Sequence, residues 1–400
     1  MHAGFSSRLP WDRGENGLAV AERERRARGA PILDLTESNP TRVGVLPSEH
    51  GARVAEALAA ADGDVYEPAP RGLPEARAAV AAVAGIDAER VVLTASSSES
   101  CALLFKILCD PGDAVLVPEP SYPLFDSLAR LEGVVPVPYR LAWDGAWHVD
   151  FASVDGALAH APRPRAIVVV HPNNPTGSFL ASGELAPLAA RCEAHGLAVV
   201  SDEVFAGYAS RPDGGRVPSL AVAPALTSRV LTFALGGLSK SCAMPQLKLG
   251  WIAVAGPDAL VDAALARLEL AADTYLSVGG PVQRALPRLL AIGADARRAV
   301  IERVATNRAA LAAAIPAGSP CSLLPSDGGW SAILRVPATR TDEDWARALL
   351  EDDGVLVHPG YFFDLRGGTF VVVSLLPAPD VFADGAARLV ARAMASSLER

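Results

Sequence analysis

The sequence lacks the features of a disulfide-rich, secreted or membrane-spanning protein. Five of its 400 residues are cysteine, an odd number, and no two of them form a CxxC pair. Scattered cysteines of this kind predict reduced thiols rather than a disulfide framework or a zinc site, and we expect no metal. No apolar run is long enough to cross a membrane, and the first residues contain no apolar signal segment. We therefore expect a cytoplasmic protein without a membrane partner.

Positive charge is also scarce. The chain has 36 lysines and arginines against 45 aspartates and glutamates, which gives a formal net charge of −9. This balance argues against nucleic acid as a partner, because the phosphate backbone attracts basic surfaces. By contrast, 50% of the residues are hydrophobic, so a sizeable core can form. The length of 400 residues predicts two to three domains or one large enzyme subunit.

From about residue 90, short β-branched runs alternate with helical patterns. The runs are VVLT (91–94), AVLVP (114–118), AIVVV (166–170), LAVVSD (197–202), VLTFAL (230–235) and WIAVA (251–255). The segments between several of them have helical periodicity: CALLFKIL (101–108), PLFDSLARL (123–131) and ELAPLAARCEAHG (184–196). Continuous apolar strands separated by helices predict a mostly parallel sheet covered on both faces. We predict a three-layer α/β/α large domain over residues 46–284.

The two ends of the chain have a different character. Helical patterns are found at 16–29, 49–61, 73–84, 286–314, 341–351 and 380–399, and strand patterns at 32–41, 331–336 and 369–376. We predict that residues 1–45 and 285–400 together form a smaller α+β domain.

Five of the predicted strands end in polar turns, and each turn offers a different chemical group. The turns are ASSSES after VVLT, PEPSY after AVLV, HPNNPTG after AIVVV, SDE after LAVV and GGLSK after VLTFAL. In open parallel sheets, ligands bind beyond the carboxyl ends of the strands. A single polar group at a strand end is usually a helix cap or a turn. Five of them on successive strands predict one ligand site.

The five groups together select a ligand. An aromatic ring suits a flat partner, and a serine-rich turn that opens a helix presents free N–H groups to a phosphate. A buried carboxylate suits a cationic ring nitrogen, and a lysine amine suits an aldehyde. Pyridoxal phosphate, a flat, phosphorylated pyridine aldehyde, satisfies all of these requirements.

Six sequence motifs resemble those of a known enzyme family. They are YEPAPRGLPEARAAV (66–80), TASSSE (94–99), PEPSYPLF (118–125), HPNNPTG (171–177), SDEVFAGY (201–208) and LSK (238–240). In their order and spacing, over most of the chain, they resemble the class I/II aminotransferases, which are fold-type I pyridoxal-phosphate enzymes.

The resemblance assigns roles to individual residues. It implies that Lys240 is the Schiff-base lysine, which also carries a proton between the substrate Cα and the cofactor. Asp202 matches the carboxylate that keeps the pyridine nitrogen protonated. Asn174 matches the amide that bonds to the ring hydroxyl, and Tyr122 matches the aromatic residue that stacks on the ring.

Further matches concern the phosphate of the cofactor. Ser97 and Ser98 match the phosphate-binding turn, and Ser239 is expected in the same cup. Lys248 falls where the family usually has an arginine, so the charge is kept but the bidentate fork is lost; the alternative is a surface lysine. Tyr66 matches a tyrosine that reaches the phosphate of the neighbouring subunit, which implies a homodimer with shared active sites.

Three positions depart from the family pattern. Phe205 stands where a tyrosine often bonds to the ring hydroxyl, and Gly237 stands where a serine often joins the phosphate cup. Val372, in TFVVVSLL, stands where an arginine usually binds the substrate carboxylate, and a valine cannot do so. Either another cation replaces that arginine, or the substrate binds without one.

Several side chains are candidates for contact with the substrate. Arg366, Arg42 and Asn39 are the predicted substrate residues, and Arg71 is a further candidate. His358 either lines the substrate pocket or is structural. His171, Trp251 and Trp330 are expected to pack.

The predicted function is that of a homodimeric, cytoplasmic pyridoxal-phosphate-dependent aminotransferase. It would move an amino group from a donor amino acid to the cofactor and then to a 2-oxo acid. The first alternative is another reaction of the same cofactor, by a decarboxylase, a β-elimination lyase or a cyclase, and Val372 favours it. The second is a non-catalytic ligand-sensing module, which the acidic charge disfavours.

Overall fold

A computed structural model describes residues 4–11, 14–61, 65–210 and 216–396. The α-helices of these residues are α1 Gly17–Ala27, α2 His50–Ala59, α3 Pro74–Ala84, α4 Ser97–Leu108, α5 Leu124–Leu131, α6 Phe151–His160, α7 Ser182–His195, α8 Pro224–Thr227, α9 Leu238–Ser241, α10 Asp258–Asp273, α11 Gly280–Ala314, α12 Asp342–Asp353 and α13 Pro379–Ser396. The strands are β1 Leu33–Asp34, β2 Val91–Thr94, β3 Ala114–Glu119, β4 Val135–Trp143, β5 Trp147–Val149, β6 Pro164–Val170, β7 Ala198–Asp202, β8 Thr232–Gly237, β9 Gly250–Ala255, β10 Ser322–Leu323, β11 Ser331–Val336, β12 Val355–Leu356, β13 His358–Pro359 and β14 Thr369–Ser374.

The predicted helices begin where the sequence offers a capping group. The side chain of Asn16 accepts a hydrogen bond from Ala19 N (2.8 Å) at the start of α1. Thr341 Oγ1 accepts one from Asp344 N (3.1 Å) at the start of α12, and Pro74 occupies the first turn of α3. Such residues satisfy or remove the free N–H groups of a first turn, so the sequence marks these boundaries well.

The central sheet has eight strands in the order β2-β9-β8-β7-β6-β3-β4-β5. Strands β8, β7, β6, β3 and β4 are parallel to one another, as predicted. Strand β9, the WIAVA run, is antiparallel to both of its neighbours. Only the short helix α9 and one 3₁₀ turn separate it from β8, so the chain reverses instead of crossing over the sheet.

Helices cover both faces of this sheet. Along β7, Ala198 and Val200 belong to one hydrophobic core and Val199 to another. The first core includes Leu104 of α4 and Leu268 of α10. The second includes Leu188 of α7. Because successive side chains of a strand point to opposite faces, this alternation gives the predicted three-layer α/β/α arrangement.

Strands β4 and β5 were not predicted from the sequence. Pro136 and Pro138 interrupt the β pattern of β4, since proline cannot donate to a strand ladder. In the structure, β4 pairs with β3 through this segment, while β5 pairs only with Leu141, Ala142 and Trp143. The prolines therefore lie beside an open sheet edge, where the missing N–H groups cost little.

The C-terminal part forms a four-stranded sheet in the order β10-β11-β14-β13, with antiparallel pairs. The N-terminal segment joins this part, because β1 pairs with β12 in a parallel ladder. The predicted boundary between 284 and 285 falls inside α11, a continuous helix of 35 residues. The change to an Arg/Ala-rich composition thus marks the course of a long helix and not a linker, and the division into two domains remains a prediction.

None of the helices in the described ranges is long and apolar enough to cross a membrane.

Candidate active site

A cavity of about 440 Å³ lies at the carboxyl ends of β6, β7 and β8. Its walls combine residues from the central sheet with residues from the C-terminal sheet. They include Ser96, Ser97, Ser98, Tyr122, Asn174, Asp202, Phe205, Ser239, Lys240, Lys248, Trp330, Ser331, His358, Phe363, Val372 and Ser374. The structure thus brings together eight of the predicted site residues: Ser97, Ser98, Tyr122, Asn174, Asp202, Ser239, Lys240 and Lys248.

Lys240 lies in α9, directly after β8, and its amine faces two aromatic rings. The Nζ atom is 5.2 Å from the centroid of Trp330 and 5.7 Å from that of Phe205. Burial lowers the pKa of Lys240, and the charge of Asp202 partly opposes this shift. A lowered pKa makes the neutral, nucleophilic amine more available, as attack on an aldehyde requires.

Asp202 ends β7 and is buried in the same cavity. Its Oδ1 atom accepts a hydrogen bond from Val204 N (3.2 Å). Burial raises the pKa of Asp202 to about 6, while the Val204 N–H and Lys240 act in the opposite direction. No lysine or arginine in the described part of the chain forms a salt bridge with it. A buried carboxylate of this kind fits a cationic group of a ligand.

The neighbouring Glu203 has a different environment. It accepts hydrogen bonds from Ser201 Oγ (2.9 Å) and Leu220 N (2.8 Å), away from the cavity walls. Burial raises the pKa of Glu203 to about 7. Of the two carboxyl groups in the SDE motif, only Asp202 is presented to the cavity.

Asn174 is held by a residue that the sequence did not indicate. Ser331 Oγ donates to Asn174 Oδ1 (3.1 Å), across 157 residues of sequence. This bond engages the amide oxygen as an acceptor, and the NH₂ group is left to donate to a ligand oxygen. Trp330, the residue before Ser331, was expected only to pack, but its ring also lines the cavity beside Lys240.

His171 has a structural role, as predicted. Its Nε2 lies 2.6 Å from Val217 O, and its Nδ1 accepts from Leu180 N (3.0 Å). Burial lowers the pKa of His171 to about 4, so the ring is neutral and both nitrogens are occupied. Trp251 also packs as predicted: it is buried in β9, opposite Gly236 of β8, and its indole fills the space where a side chain at Gly236 would lie.

The serine turn opens α4 with free donors. Ser96 caps the helix, because its Oγ accepts from Glu99 N (3.1 Å) and its carbonyl accepts from Ser100 N (2.9 Å). Within the described chain, the N–H groups of Ser97 and Ser98 donate to no protein acceptor. Free N–H groups at the positive end of a helix form an anion site, which fits a phosphate group.

Lys248 adds a positive charge to this cavity from an unusual backbone position. It lines the cavity with a φ of 50°, in the left-handed region that non-glycine residues rarely adopt. Such a conformation costs free energy and is found most often at functional sites. Gly237 leaves the cup without a hydroxyl, and a Cβ there would lie 3.2 Å from Gly250 Cα. The close approach of β8 and β9 therefore favours glycine at this position.

Tyr122 lines the cavity, with its ring 6.5 Å from that of Phe363. Phe205 contacts Trp330 edge to face, with 4.9 Å between the ring centroids. Phe205 has no hydroxyl. Tyr208 does not replace it, because its hydroxyl donates to the backbone carbonyl oxygen of Lys240 (2.5 Å).

The predicted substrate residues lie outside the cavity walls. Arg366 has a side chain that is 75% exposed and pairs with Glu119 (3.1 Å) in a separate cleft beside Trp143. Arg42, with a side chain that is 74% exposed, lies 3.8 Å from Glu37. Arg71 pairs with Glu89 (2.8 Å). Each arginine thus lies outside the cavity wall and close to a carboxylate, and its contact with the substrate stays a prediction.

Asn39 and Tyr66 are also outside these walls. Asn39 Oδ1 accepts from Thr41 N (3.0 Å) and Thr41 Oγ1 (2.8 Å), so its carbonyl oxygen stabilises a local turn. Tyr66 is 79% exposed and borders a different cleft. No arginine of the described ranges lines the cavity, and Val372 forms part of its wall.

Comparison with known proteins agrees with this arrangement. The family model described as aminotransferase class I and II matches residues 31–378. The chain belongs to this family.

Individual relatives support the assignment. An alanine aminotransferase of Mycobacterium tuberculosis is 30% identical over 268 residues, which cover 65% of this chain and 60% of that protein. The chain therefore matches less than two thirds of the length of that relative. A valine–pyruvate aminotransferase of the same species is 29% identical over 382 residues and 91% of each chain. The solved alanine aminotransferase of Pyrococcus furiosus has the same fold, with a TM-score of 0.83 at 24% identity over 99% of this chain and 100% of that one.

Proposed function

We propose that the protein is a pyridoxal-phosphate-dependent aminotransferase that moves an amino group between an amino acid and a 2-oxo acid. The observation that carries the proposal is the shared cavity of Lys240, Asp202 and the free N–H groups at the start of α4. An amine, a buried carboxylate and an anion site are the three groups that the aldehyde, ring nitrogen and phosphate of this cofactor need. The membership of the aminotransferase family supports the same conclusion.

The residues present would hold the cofactor as follows. The turn of Ser97 and Ser98, with Ser239 and Lys248, would bind the phosphate. Asn174 would donate to the ring hydroxyl, and Tyr122 would cover the ring face. The location in the cytoplasm remains a prediction.

The chemistry divides between the cofactor and two side chains. Bound pyridoxal phosphate supplies an electron sink for the bond that breaks at the substrate Cα. Asp202 would pair with the ring nitrogen, and a positive charge there would offset the burial that raises the pKa of this carboxyl in the free protein. The Lys240 amine would hold the cofactor and would serve as the base that takes up and returns the proton of the substrate Cα. Trp330 and Phe205 shield that amine from water.

A visible absorption experiment tests the proposal. Purified protein is loaded with pyridoxal phosphate, and each of the proteinogenic amino acids is added in turn. We expect at least one amino acid to convert the spectrum to that of pyridoxamine phosphate, and a 2-oxo acid to reverse the change. Release of carbon dioxide or of an unsaturated product, without a reversible conversion, would contradict amino transfer and favour the decarboxylase or lyase alternatives.

We further propose a homodimer with shared active sites. Tyr66 borders a cleft of about 250 Å³ whose rim carries exposed apolar residues, among them Val65 (69% exposed) and Tyr275 (56% exposed). Ser277, in the same cleft, donates to Glu99 Oε2 (2.7 Å), and Glu99 lies in the first turn of α4. The cleft is thus connected to the phosphate turn, and an exposed apolar rim of this kind favours a protein partner.

Mixing two impaired variants tests the shared site. Tyr66→Ala and Lys240→Ala are denatured together and refolded. If each site uses Tyr66 of one subunit and Lys240 of the other, a hybrid dimer contains one intact site. We expect the mixture to recover about a quarter of the wild-type activity, because about half of the dimers are hybrids with one complete site each. Activity equal to the average of the separately refolded variants, or a monomeric mass in solution, would contradict the proposal.

A further inference from the structure

The wall that contains Val372 also carries an imidazole. Val372 lies on β14, directly opposite His358 on β13 in the antiparallel register. Side chains of directly opposed residues lie on the same face of a sheet, about 5 Å apart at Cβ. Both residues line the cavity. His358 is therefore the titratable group nearest in the sheet to the position where the family arginine is missing.

Few cations are available for a substrate carboxylate. Of the described residues, Lys240, Lys248 and His358 are the basic side chains of the cavity wall. On the function proposed above, on which this inference rests, Lys240 bonds to the cofactor and Lys248 faces its phosphate. Val372 is 1% exposed and apolar. A carboxylate left unpaired in such a site would lose its hydration without gaining a partner, which disfavours its binding.

The imidazole of His358 is free to meet a ligand. None of the described residues forms a hydrogen bond with either of its ring nitrogens, whereas both nitrogens of His171 are bonded to the backbone. Its neighbours are the rings of Phe362 and Phe363, each 5.8 Å away between centroids. A free imidazole among aromatic rings, open to the cavity, has no structural hydrogen bond to maintain.

We propose that His358, as an imidazolium, binds the carboxylate of the amino-acid substrate in place of the absent arginine. Ser374 lies on the same face of β14 as Val372 and also lines the cavity. Its Oγ accepts from Leu376 N (3.3 Å), so its hydroxyl hydrogen can be donated to a carboxylate oxygen. An imidazolium and one hydroxyl would together replace the guanidinium fork.

The groups around His358 define how its charge responds to a ligand. Burial lowers its pKa, whereas Asp34 of β1 and Glu22 of α1 act to raise it. Helix α12 also packs on β13, and its Asp342 carboxylate accepts from Phe370 N (3.0 Å), in the backbone of β14. Strand β14 itself contributes only uncharged side chains. The free imidazole therefore favours its neutral form, and a bound carboxylate favours the charged form.

The affinity for the amino acid should therefore decrease as pH rises. Between the lowered pKa of the free enzyme and the higher pKa of the complex, binding takes up one proton. The dissociation constant of the amino acid should then rise by up to about tenfold per pH unit as pH increases through this window. An amine without the carboxylate gains nothing from the imidazolium, so its own affinity lacks this component.

The experiment compares two amino acids with the same molecules lacking the carboxylate. Binding of L-alanine and L-valine, and of ethylamine and isobutylamine, is measured from the cofactor absorbance of the holoenzyme between about pH 5 and pH 8, where imidazole titrates. We expect wild type to prefer the amino acids by about tenfold or more at the acidic end, as a charge-assisted hydrogen bond provides. The preference should fall as pH rises. His358→Gln should remove both the preference and its pH dependence and leave amine binding unchanged.

Two further variants make the test decisive. Arg366→Gln, in the separate cleft, is the matched control and should keep the preference. Val372→Arg should restore it in the His358→Gln background without the pH dependence, because guanidinium stays charged throughout. A preference that is absent from wild type, persists in His358→Gln, or is lost in Arg366→Gln would overturn the proposal. Since binding and not turnover is measured, such a result leaves the test of amino transfer unaffected.

Discussion

Replacement of Lys240 with alanine should lower the rate of amino transfer by about 10⁴-fold or more, because on the proposed function one side chain would both anchor the cofactor and move the substrate proton. The chain contains three lysines, Lys106, Lys240 and Lys248. Lys106 pairs with Glu132 (2.5 Å), and Lys248 lines the cavity, where it would bind the phosphate on the proposed function. We therefore expect neither of the other two lysines to replace the amine of Lys240. Single-turnover conversion of the cofactor spectrum by the preferred amino acid measures the loss.

The controls separate the amine from the charge. Lys240→Arg keeps a cation but cannot bond to an aldehyde in the same way, and we expect it to be as inactive as the alanine variant. Lys106→Ala should retain wild-type activity. Borohydride reduction of the wild-type holoenzyme should fix the cofactor on Lys240 and on neither of the other lysines, as mass spectrometry of its peptides would show. Label on Lys248, or amino transfer by Lys240→Ala at the wild-type rate, would refute the assignment.

The cavity residues that belong to the central sheet could be predicted, because they lie at or directly after the end of a strand. Asp202 is the last residue of β7, and Lys240 lies in the short helix after β8. Where parallel strands end at one edge of a sheet, residues just beyond them must converge. The local sequence therefore determines both which residues approach the ligand and which side of the sheet they occupy.

The other half of the cavity depends on contacts that local sequence does not specify. Ser331 reaches Asn174 across 157 residues, and His358 is aligned with Val372 only through the register of β13 on β14. Arg366 is a predicted substrate residue, but its side chain pairs with Glu119 in a separate cleft. The direction of a loop side chain depends on the partner that it finds, which a pattern of residue types does not contain.

The replacement of Asp202 with asparagine should have two opposite effects, the first on catalysis. Asparagine keeps an oxygen for the hydrogen bond from Val204 N, so the local geometry is retained. It removes the negative charge that would pair with the protonated ring nitrogen. Loss of one preorganised electrostatic group of this type lowers the rate by about 10²–10³-fold. Asp202→Glu, which keeps the charge, should retain more activity than Asp202→Asn, and an equal loss in both would contradict the electrostatic role.

The second effect is on the stability of the cofactor-free protein. Burial raises the pKa of Asp202 from 3.8 to about 6. The folded state thus binds the proton more tightly than the unfolded state, and the free energy of unfolding decreases as pH rises from about 4 to about 6. The shift of about 2 units corresponds to about 3 kcal/mol, fully lost above pH 6. Glu203, whose pKa burial raises to about 7, titrates in both proteins, but asparagine does not titrate. In urea unfolding we therefore expect the free energy of unfolding of wild type to fall more than that of Asp202→Asn between pH 4 and pH 8.

Binding of the cofactor should change this pH dependence. A cationic ring nitrogen beside Asp202 should lower the pKa of that carboxyl again, because the opposite charge replaces the lost hydration. Cofactor binding should therefore stabilise wild type more than Asp202→Asn, and the difference should be larger at pH 8 than at pH 4. Equal stabilisation of both proteins by pyridoxal phosphate at pH 8 would show that the carboxylate does not face the ring nitrogen. Cofactor binding would then not explain why a carboxylate that destabilises the free protein is buried at this position.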